Sequence, residues 1–385
     1  MYRIFKHIII AVFFLSFGTI SFAQNDTCHL RVSLLTCSPG EELYSSWGHT
    51  AVRVTDSARG SDFVFNYGTF NYDDPLFLAK FTKGLMVYYV DAYPFSDFVR
   101  EYQYFKRGVI EQELNFTCEA KRKLYDALIE NTKEQNKYYN YYFHTDNCTT
   151  RAKDMIVKNA GEAVSFKSII KDPPPTFRNL IHVYLDSSHQ YWNKLGIDIL
   201  LGANLDKKAT NEGSMFLPDN LLTGFDNATI KDKPLVSNKV VVLATPPMET
   251  SISLLSPMIV FSLLALVVLI LTMSKNRTSQ KILNVFDVSF FLILGLLGLL
   301  LVVLWIIRID TVCRNNFNLF WALPTHLPVA FLLLQKKKWV KKYFRLVSLL
   351  TLLLLLTWYF LPQQLNLAVL PILVIIITRS WQRSR

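Results

Sequence analysis

The last third of the sequence contains very few acidic residues. Residues 251–385 contain two acidic residues (Asp or Glu) and 14 basic residues (Lys or Arg). Residues 24–250 contain 28 acidic and 25 basic residues. The net charge of +11 therefore comes from one region. Because that region also carries the long apolar runs, its basic residues indicate a membrane surface. We expect no nucleic-acid partner.

Several other features are absent. The sequence has no internal repeat and no low-complexity tract, which excludes repeat architectures. No His/Cys cluster has the spacing of metal ligands, so we expect no metal and no cofactor. No cysteine follows the first apolar run, so nothing indicates that the protein carries a lipid at that position.

The first 23 residues resemble a secretory signal peptide. Arg3 and Lys6 precede the apolar run "IIIAVFFLSFGTI", and the small residues Ser21 and Ala23 follow it. This pattern predicts export, with cleavage after about Ala23. The following domain would then fold in an oxidising compartment, where disulfides form.

Residues 251–385 are predicted to form an all-α membrane domain. Their apolar runs are each near the length needed to cross a hydrocarbon core of ~30 Å, although the last two are short. About five transmembrane helices are expected, over residues 253–273, 289–307, 318–334, 346–361 and 365–378.

Basic residues between these runs predict the orientation. Twelve Lys/Arg fall in the loops and tail on one side, and only Arg308 and Arg314 fall on the other. Because cytoplasmic loops carry the excess of Lys and Arg, the N-terminal domain is expected in the periplasm of a multi-pass protein of the bacterial inner membrane. The signal peptide predicts the same side.

Residues 24–205 show mixed periodicity. Stretches such as "HTAVRVTD" and "DFVFNYGTF" are typical of strands, whereas "EAKRKLYDALIENTKEQ" and "TTRAKDMIVKNA" have apolar residues at helical spacing. We predict an α+β domain. Residues 206–250 are largely polar and are predicted to be an extended arm leading to the membrane.

Two residues of this domain form a candidate catalytic pair. His49 begins a predicted strand in "YSSWGHTAVRV", and Cys148 begins a predicted helix in "FHTDNCTTRAKDMI". A thiol at a helix N-terminus lies at the positive end of the helix dipole, which lowers its pKa. If His49 reaches Cys148, the pair is an activated nucleophile of the kind used by cysteine hydrolases and transferases.

Each residue also has a simpler interpretation. Cys148 is a candidate disulfide partner of Cys28, Cys37 or Cys118, because exported domains often pair their cysteines. His49 could be an ordinary residue at the end of a strand. The combination of the two residues supports catalysis more than either one alone.

The order of the pair, "GH" on a strand and "NC" at a helix start about a hundred residues later, resembles circularly permuted papain-like enzymes. These include the NlpC-type cell-wall peptidases and the lecithin:retinol acyltransferase family. The stretches "SWGHTAVRV", "FNYGTF", "RGVIEQELNFT", "YYNYYFHTDNCTTR" and "NNFNLFWALPTHLP" resemble more closely the Lnb family of lipoprotein N-acyltransferases.

This resemblance implies a permuted papain-like domain with Cys148 as nucleophile and His49 as base. Asn66 is the expected third residue, with Asp62 as the alternative. The implied donor is a membrane phospholipid, and the implied acceptor is the α-amine of a diacylated lipoprotein.

Candidate substrate-binding residues are Trp47, Tyr67, Arg151 and His326. The aromatic residues Phe70, Tyr72, Phe77, Phe81 and Tyr88 are candidates for holding acyl chains.

Two other functions remain open from the sequence. The same His/Cys pair would serve a membrane-tethered NlpC-like peptidase or amidase that acts on cell-wall peptides. A non-enzymatic membrane scaffold, with Cys148 in a disulfide, is the second alternative. Five spans favour the acyltransferase over a cell-wall hydrolase, because a hydrolase needs only one anchor.

Overall fold

The structure is a computed structural model that describes residues 28–71, 73–246, 255–274, 276–335 and 337–385. The signal peptide predicted over residues 1–23 lies outside these residues. In the described part, an α+β domain is followed by a helical region. This arrangement confirms the predicted fold class at that level.

The strands and helices of the α+β domain are mixed along the chain, with runs of consecutive strands and a run of consecutive helices. The strands are β1 (Leu30–Cys37), β2 (His49–Asp56), β3 (Ser61–Thr69), β4 (Val87–Pro94), β5 (Val109–Leu114), β6 (Tyr138–Asn140), β7 (Val164–Ser165), β8 (Thr229–Ile230), β9 (Lys233–Pro234) and β10 (Val236–Leu243). The helices are α1 (Phe77–Lys83), α2 (Phe95–Tyr104), α3 (Cys118–Thr132), α4 (Cys148–Asn159), α5 (Phe177–Ser187), α6 (Tyr191–Leu200), α7 (Asn211–Ser214) and α8 (Pro218–Asp226).

An antiparallel sheet of seven strands forms the centre of this domain, in the order β10-β5-β1-β2-β3-β4-β6. Its two faces follow the alternation of β1: Val32 and Leu34 pack with α3 and α4, whereas Leu35 and Cys37 pack with α2. Because side chains of a strand alternate between faces, a strand covered on both sides is apolar at consecutive positions. The sequence "LRVSLLTC" of β1 fits this position.

The prediction of an extended arm over residues 206–250 is wrong for most of this segment. This stretch contains α7, α8 and three strands, and β10 pairs with β5 at the edge of the main sheet. Leu221 and Phe225, four residues apart on α8, are fully buried in the core. The polar composition reflects the exposed faces of short elements, so the α+β domain continues to Leu243.

Five helices follow in the C-terminal region: α9 (Pro257–Met273), α10 (Arg277–Ile307), α11 (His326–Leu332), α12 (Lys338–Leu356) and α13 (Leu370–Ser384). Within the described ranges, the segments 277–307 and 367–384 are long and apolar enough to cross a bilayer, by length and composition. The segments 257–273 and 326–335 are apolar but shorter. The predicted third span is interrupted between Phe320 and His326, a segment that includes Pro324.

One buried ion cluster joins three of these helices. Asp287 of α10 is fully buried, and it accepts hydrogen bonds from Arg379 (2.8 Å) and Arg383 (2.6 Å) of α13. Arg379 also donates to the Thr272 hydroxyl of α9 at 2.8 Å. A buried charge needs such partners, because an unpaired charge is costly in a medium of low dielectric constant.

The loops of the helical region bind directly to the α+β domain. Asn316 and Asn318 donate to backbone carbonyls of α6 at 2.8–2.9 Å, and Asn366 donates to the Asp198 carboxylate at 2.9 Å. On another side, Arg308 donates to the carbonyl of Phe81 in α1 at 2.8 Å. These bonds hold one end of the helical bundle against the α+β domain.

Candidate active site

Cys148 is the first residue of α4, and its position is fixed by the cap of that helix. The Asn147 side chain accepts from the Thr150 N–H at 2.9 Å, and the Thr150 hydroxyl accepts from the Asn147 N–H at 2.8 Å. The Asn147 amide also donates to the carbonyls of Phe143 and Phe216. This capping box holds the thiol at the helix N-terminus, as the sequence predicts.

Two glycines allow the strand ends to approach this thiol. Gly48 has φ +83°, and a Cβ there would lie 2.7 Å from the Cys37 carbonyl oxygen. Gly68 has φ +95°, and a Cβ there would lie 3.2 Å from Cβ of Cys148 and 3.7 Å from Cε1 of His49. Both positions need glycine. The close packing at Gly68 brings β2, β3 and α4 together at one point.

His49, at the start of β2, lies between Cys148 and Asn66. Its Nε2 is 2.5 Å from the Asn66 Oδ1, and the Asn66 amide nitrogen donates to the Tyr93 hydroxyl at 3.1 Å. The other ring nitrogen, Nδ1, is therefore the one available to Cys148, with which His49 is hydrogen-bonded. The structure thus brings together the three residues predicted as catalytic.

Asp62, the alternative third residue, lies at the opposite end of β3. Its carboxylate accepts from two nitrogens of Arg53, at 2.8 and 2.6 Å. It pairs in register with Thr55, far along β2 from His49. Asp62 therefore stabilises the sheet and does not orient the imidazole.

The environment shifts the pKa values of Cys148 and His49 in opposite directions. Burial by itself would raise the pKa of Cys148. The positive charge of the adjacent His49 imidazolium opposes this effect, as do hydrogen bonds from His49 and from the Thr50 backbone N–H. Together they lower the pKa of Cys148 to about 7. Burial would lower the pKa of His49, but the facing thiolate and the bond to Asn66 raise it. Near neutral pH, this favours a thiolate–imidazolium pair.

The pair opens into a cavity of about 360 Å³. Its wall includes Trp47, Phe70 and Tyr88 of the predicted substrate-binding residues. The Trp47 ring is fixed by a bond from Nε1 to the Ile181 carbonyl, at 3.2 Å. Phe77 and Phe81 lie outside this wall on α1, and Tyr72 lies outside the described residues.

Three predicted binding residues lie elsewhere. Tyr67 is 1% exposed, packs in the core against Tyr139 and donates to the Asn131 side chain at 3.3 Å. Arg151 pairs with Asp146 through two bonds of 2.6 and 2.7 Å and stacks on Tyr139. His326 is fully buried in the helical bundle, where its Nδ1 is 2.7 Å from the Tyr343 hydroxyl. None of the three lines the cavity.

Asn147 and Arg107 are among the cavity residues that the sequence interpretation missed. Asn147 could have been identified, because an asparagine directly before a predicted helix is the usual N-cap. Arg107 begins the stretch "RGVIEQELNFT" and precedes β5, which is distant from Cys148 in sequence. Only the strand order brings it to the same edge of the sheet.

The cysteines of the described chain divide into one bridge and three thiols. Cys28 and Cys118 form a disulfide with Cα atoms 5.4 Å apart, whereas Cys37, Cys148 and Cys313 are free. The disulfide interpretation of Cys148 is therefore wrong in this structure, and the scaffold alternative loses its main support. In the part of the chain that the structure describes, no three His, Cys, Asp or Glu side chains are grouped so as to hold a metal.

Comparison with known families agrees with the resemblance in the sequence. Residues 17–183 match the model of the Lnb N-terminal periplasmic domain, and residues 249–384 match that of the Lnb transmembrane domain. The chain belongs to the Lnb family. Cys148, His49 and Asn66 all lie within the first Lnb match. No curated protein and no solved structure matches the chain.

Membership of the Lnb family has direct consequences for location and activity. An Lnb protein has a periplasmic N-terminal domain and a transmembrane domain, so this chain is an inner-membrane protein, and the cavity at Cys148 lies in its periplasmic part. At the level of the family, it is a membrane-bound lipoprotein N-acyltransferase.

Proposed function

We propose that this chain transfers a fatty acyl group from a phospholipid to the α-amine of a diacylated lipoprotein, through a thioester on Cys148. The observation that carries the proposal is the Cys148–His49–Asn66 arrangement on the wall of the cavity. A cysteine at a helix N-terminus, a histidine on the adjacent sheet and an amide that orients it are the groups of a papain-like enzyme. We propose that the domain is a permuted member of that fold, because the histidine precedes the cysteine in the chain.

In the first half-reaction, the Cys148 thiolate attacks the carbonyl carbon of the donor ester. The backbone N–H of Cys148, at the N-terminus of α4, faces the developing oxyanion. When the tetrahedral intermediate collapses, the C–O bond breaks and protonated His49 gives its proton to the departing oxygen of the lysophospholipid. The acyl group remains on sulfur as a thioester.

In the second half-reaction, the neutral α-amine of the lipoprotein attacks the thioester carbon. His49, now neutral, accepts a proton from that nitrogen, and the C–S bond breaks to regenerate the thiolate. Asn66 holds the ring in one orientation through both steps, because its amide is itself fixed by Tyr93. The product is an N-acylated lipoprotein.

The membrane arrangement is part of the proposal. We propose that α9 to α13 all contribute to a multi-pass bundle, with the α+β domain on the periplasmic surface. The twelve-to-two distribution of basic residues supports this orientation. The bonds from Arg308, Asn316 and Asn366 to the α+β domain support a site held close to the bilayer, where both lipid substrates are found.

The acyl-enzyme tests this mechanism directly. When the purified enzyme is incubated with phospholipid and no acceptor, mass spectrometry should detect a species heavier by one fatty acyl chain. The adduct should be removed by neutral hydroxylamine, as thioesters are, and should be absent from Cys148→Ala. A peptidase would give no fatty adduct. An adduct on another residue, or acylated lipoprotein formed with no adduct even on rapid quench, would contradict the two-step scheme.

A further inference from the structure

The catalytic cavity has two chemically different ends. The sheet order β5-β1-β2-β3-β4-β6 places His49, at the start of β2, between Arg107 beside β5 and Tyr88 on β4. Arg107, Glu101 and Tyr102 line one end, whereas Phe70, Tyr88 and Tyr141 line the other. A substrate that lies across the edge of the sheet at Cys148 therefore meets a charged wall on one side and an aromatic wall on the other.

The aromatic wall continues out of the cavity towards the membrane region. Tyr141 stacks on Tyr88 at 4.2 Å between ring centroids, and Tyr88 contacts Phe70 at 5.0 Å. From Phe70 the contacts run to Phe77 and then Phe81 of α1, at 6.1 and 6.4 Å. We refer to these five rings as the aromatic track. Phe77 and Phe81 are 37% and 48% exposed, so the track has an open apolar face.

The outer end of the track is attached to the end of a membrane helix. Arg308, which follows α10, donates to the Phe81 carbonyl and lies 5.5 Å from the Phe81 ring. The backbone N–H of Ile309 donates to the Lys83 carbonyl at 3.1 Å. The helix α1 is thus held at the end of α10, so the outer end of the track lies next to the transmembrane region.

At the opposite end, Arg107 has an unused hydrogen-bond donor. Its Nε donates to the Ser38 carbonyl at 2.8 Å, and its guanidinium lies 4.8 Å from the Tyr102 ring. Its Nη2 is buried, and no other described residue accepts a hydrogen bond from it. A buried N–H of a charged group without a partner is costly, so a ligand acceptor at this position would relieve the cost.

We propose that the donor phospholipid lies along this axis, with its acyl chain on the aromatic track, its ester at Cys148 and its phosphate on Arg107. The proposal rests on the proposed function. The order of groups in the lipid, from chain to ester to phosphate, matches the order of the cavity walls. Arg107 precedes β5, which lies two strands, or about 10 Å, from β2. The glycerol of the lipid and the arginine side chain together span that gap.

The acidic residue Glu101 does not prevent a phosphate from binding at Arg107. Glu101 lines the same end of the cavity, but its side chain is exposed to solvent, where water and salt weaken its repulsion of a phosphate. Arg107 is fixed by Ser38 and Tyr102, so its guanidinium is already oriented before the lipid binds. Guanidinium and phosphate form strong charge-assisted hydrogen bonds.

The test compares two soluble donors that differ only in the phosphocholine headgroup. A short-chain phosphatidylcholine and the diacylglycerol with the same acyl chains are each incubated with the full-length enzyme, and the rate of Cys148 acylation is measured by mass spectrometry. Arg107→Gln should lower the rate with the phosphatidylcholine about tenfold or more, relative to the rate with the diacylglycerol. Arg107→Lys should restore part of the preference for phosphatidylcholine over diacylglycerol, because lysine keeps the positive charge.

Two further measurements complete the test. Arg100→Gln removes an exposed arginine of α2 and should leave the ratio of the two rates unchanged. Inorganic phosphate should slow acylation of the wild type by phosphatidylcholine but not that of Arg107→Gln. Unchanged donor preference in Arg107→Gln, or an equal loss with both donors, would overturn the role of Arg107 and leave the proposed function intact. A wild type acylated by neither donor would overturn the proposed function itself.

Discussion

The transmembrane region buries a cluster of one carboxylate and two guanidinium groups, whereas the periplasmic domain buries the Cys148–His49 pair. Asp287 is fully buried, and its two carboxylate oxygens accept hydrogen bonds from Arg379 and Arg383. Cys148 and His49 are also buried, but one side of the pair faces a cavity of about 360 Å³. A buried charge whose hydrogen-bond acceptors are all occupied by protein groups can stabilise a structure. A buried pair with one side facing a cavity can react with a substrate there.

The largest expected effect concerns the open pair. Cys148→Ala should reduce acyl transfer by more than about 10³-fold, and His49→Ala should be nearly as severe. The double variant should be little worse than either single variant, because the two residues act as one unit. Transfer is measured by mass spectrometry of a lipoprotein N-terminus, with the thermal unfolding temperature as the control for folding. Losses that multiply in the double variant would show two independent contributions.

An intermediate effect is expected at the closed Asp287 cluster. Asp287→Ala leaves Arg379 buried without its partner, which should destabilise the membrane region by about 3–5 kcal/mol. Thermal unfolding in detergent should show this loss, while the acylation rate per folded molecule stays near that of the wild type. Asp287→Leu combined with Arg379→Met should lose much less stability, because apolar residues replace the two most deeply buried charges and the remaining Arg383 is partly exposed. If Asp287→Ala unfolds at the wild-type temperature, the cluster is not structural.

The smallest expected effect is the pH dependence of the open pair. Because the pKa of Cys148 is lowered to about 7, the thiolate is present above that pH and is lost as the pH falls through it. Alkylation by iodoacetamide should therefore rise with a midpoint near pH 7. In His49→Ala the midpoint should move up towards the ordinary thiol value of about 8.5, with a several-fold slower reaction at pH 7. A midpoint that is the same in both proteins would mean that His49 does not stabilise the thiolate.

The grouping of the three proposed catalytic residues could be predicted from the sequence because each one has a local signal. Cys148 follows an N-cap asparagine, His49 begins a strand after a glycine, and Asn66 lies on the next strand. Tyr67 was predicted wrongly for a reason that the sequence already contains. Consecutive residues of a strand face opposite sides of the sheet, so the alternation that turns Asn66 towards His49 turns Tyr67 into the core against Tyr139.

Other features depend on pairing between distant segments. Arg151 is three residues beyond Cys148 on the same helix, but its direction is set by Asp146 and Tyr139. Arg107 reaches the cavity only because β5 lies beside β1, which no local pattern predicts. The elements between residues 206 and 243 are short, and their stability comes from tertiary packing more than from local propensity.

The position of β10 also has a consequence for the biogenesis of the protein. This edge strand ends at Leu243 and pairs with β5, while α9 begins at Pro257. During export the N-terminus of the chain crosses the membrane first. The six strands that precede β10 in the seven-stranded sheet are therefore translocated before β10 is. The sheet is therefore completed only when the segment directly before α9 has been translocated. Closure of the enzyme domain and insertion of the first membrane helix are adjacent events in the synthesis of one polypeptide.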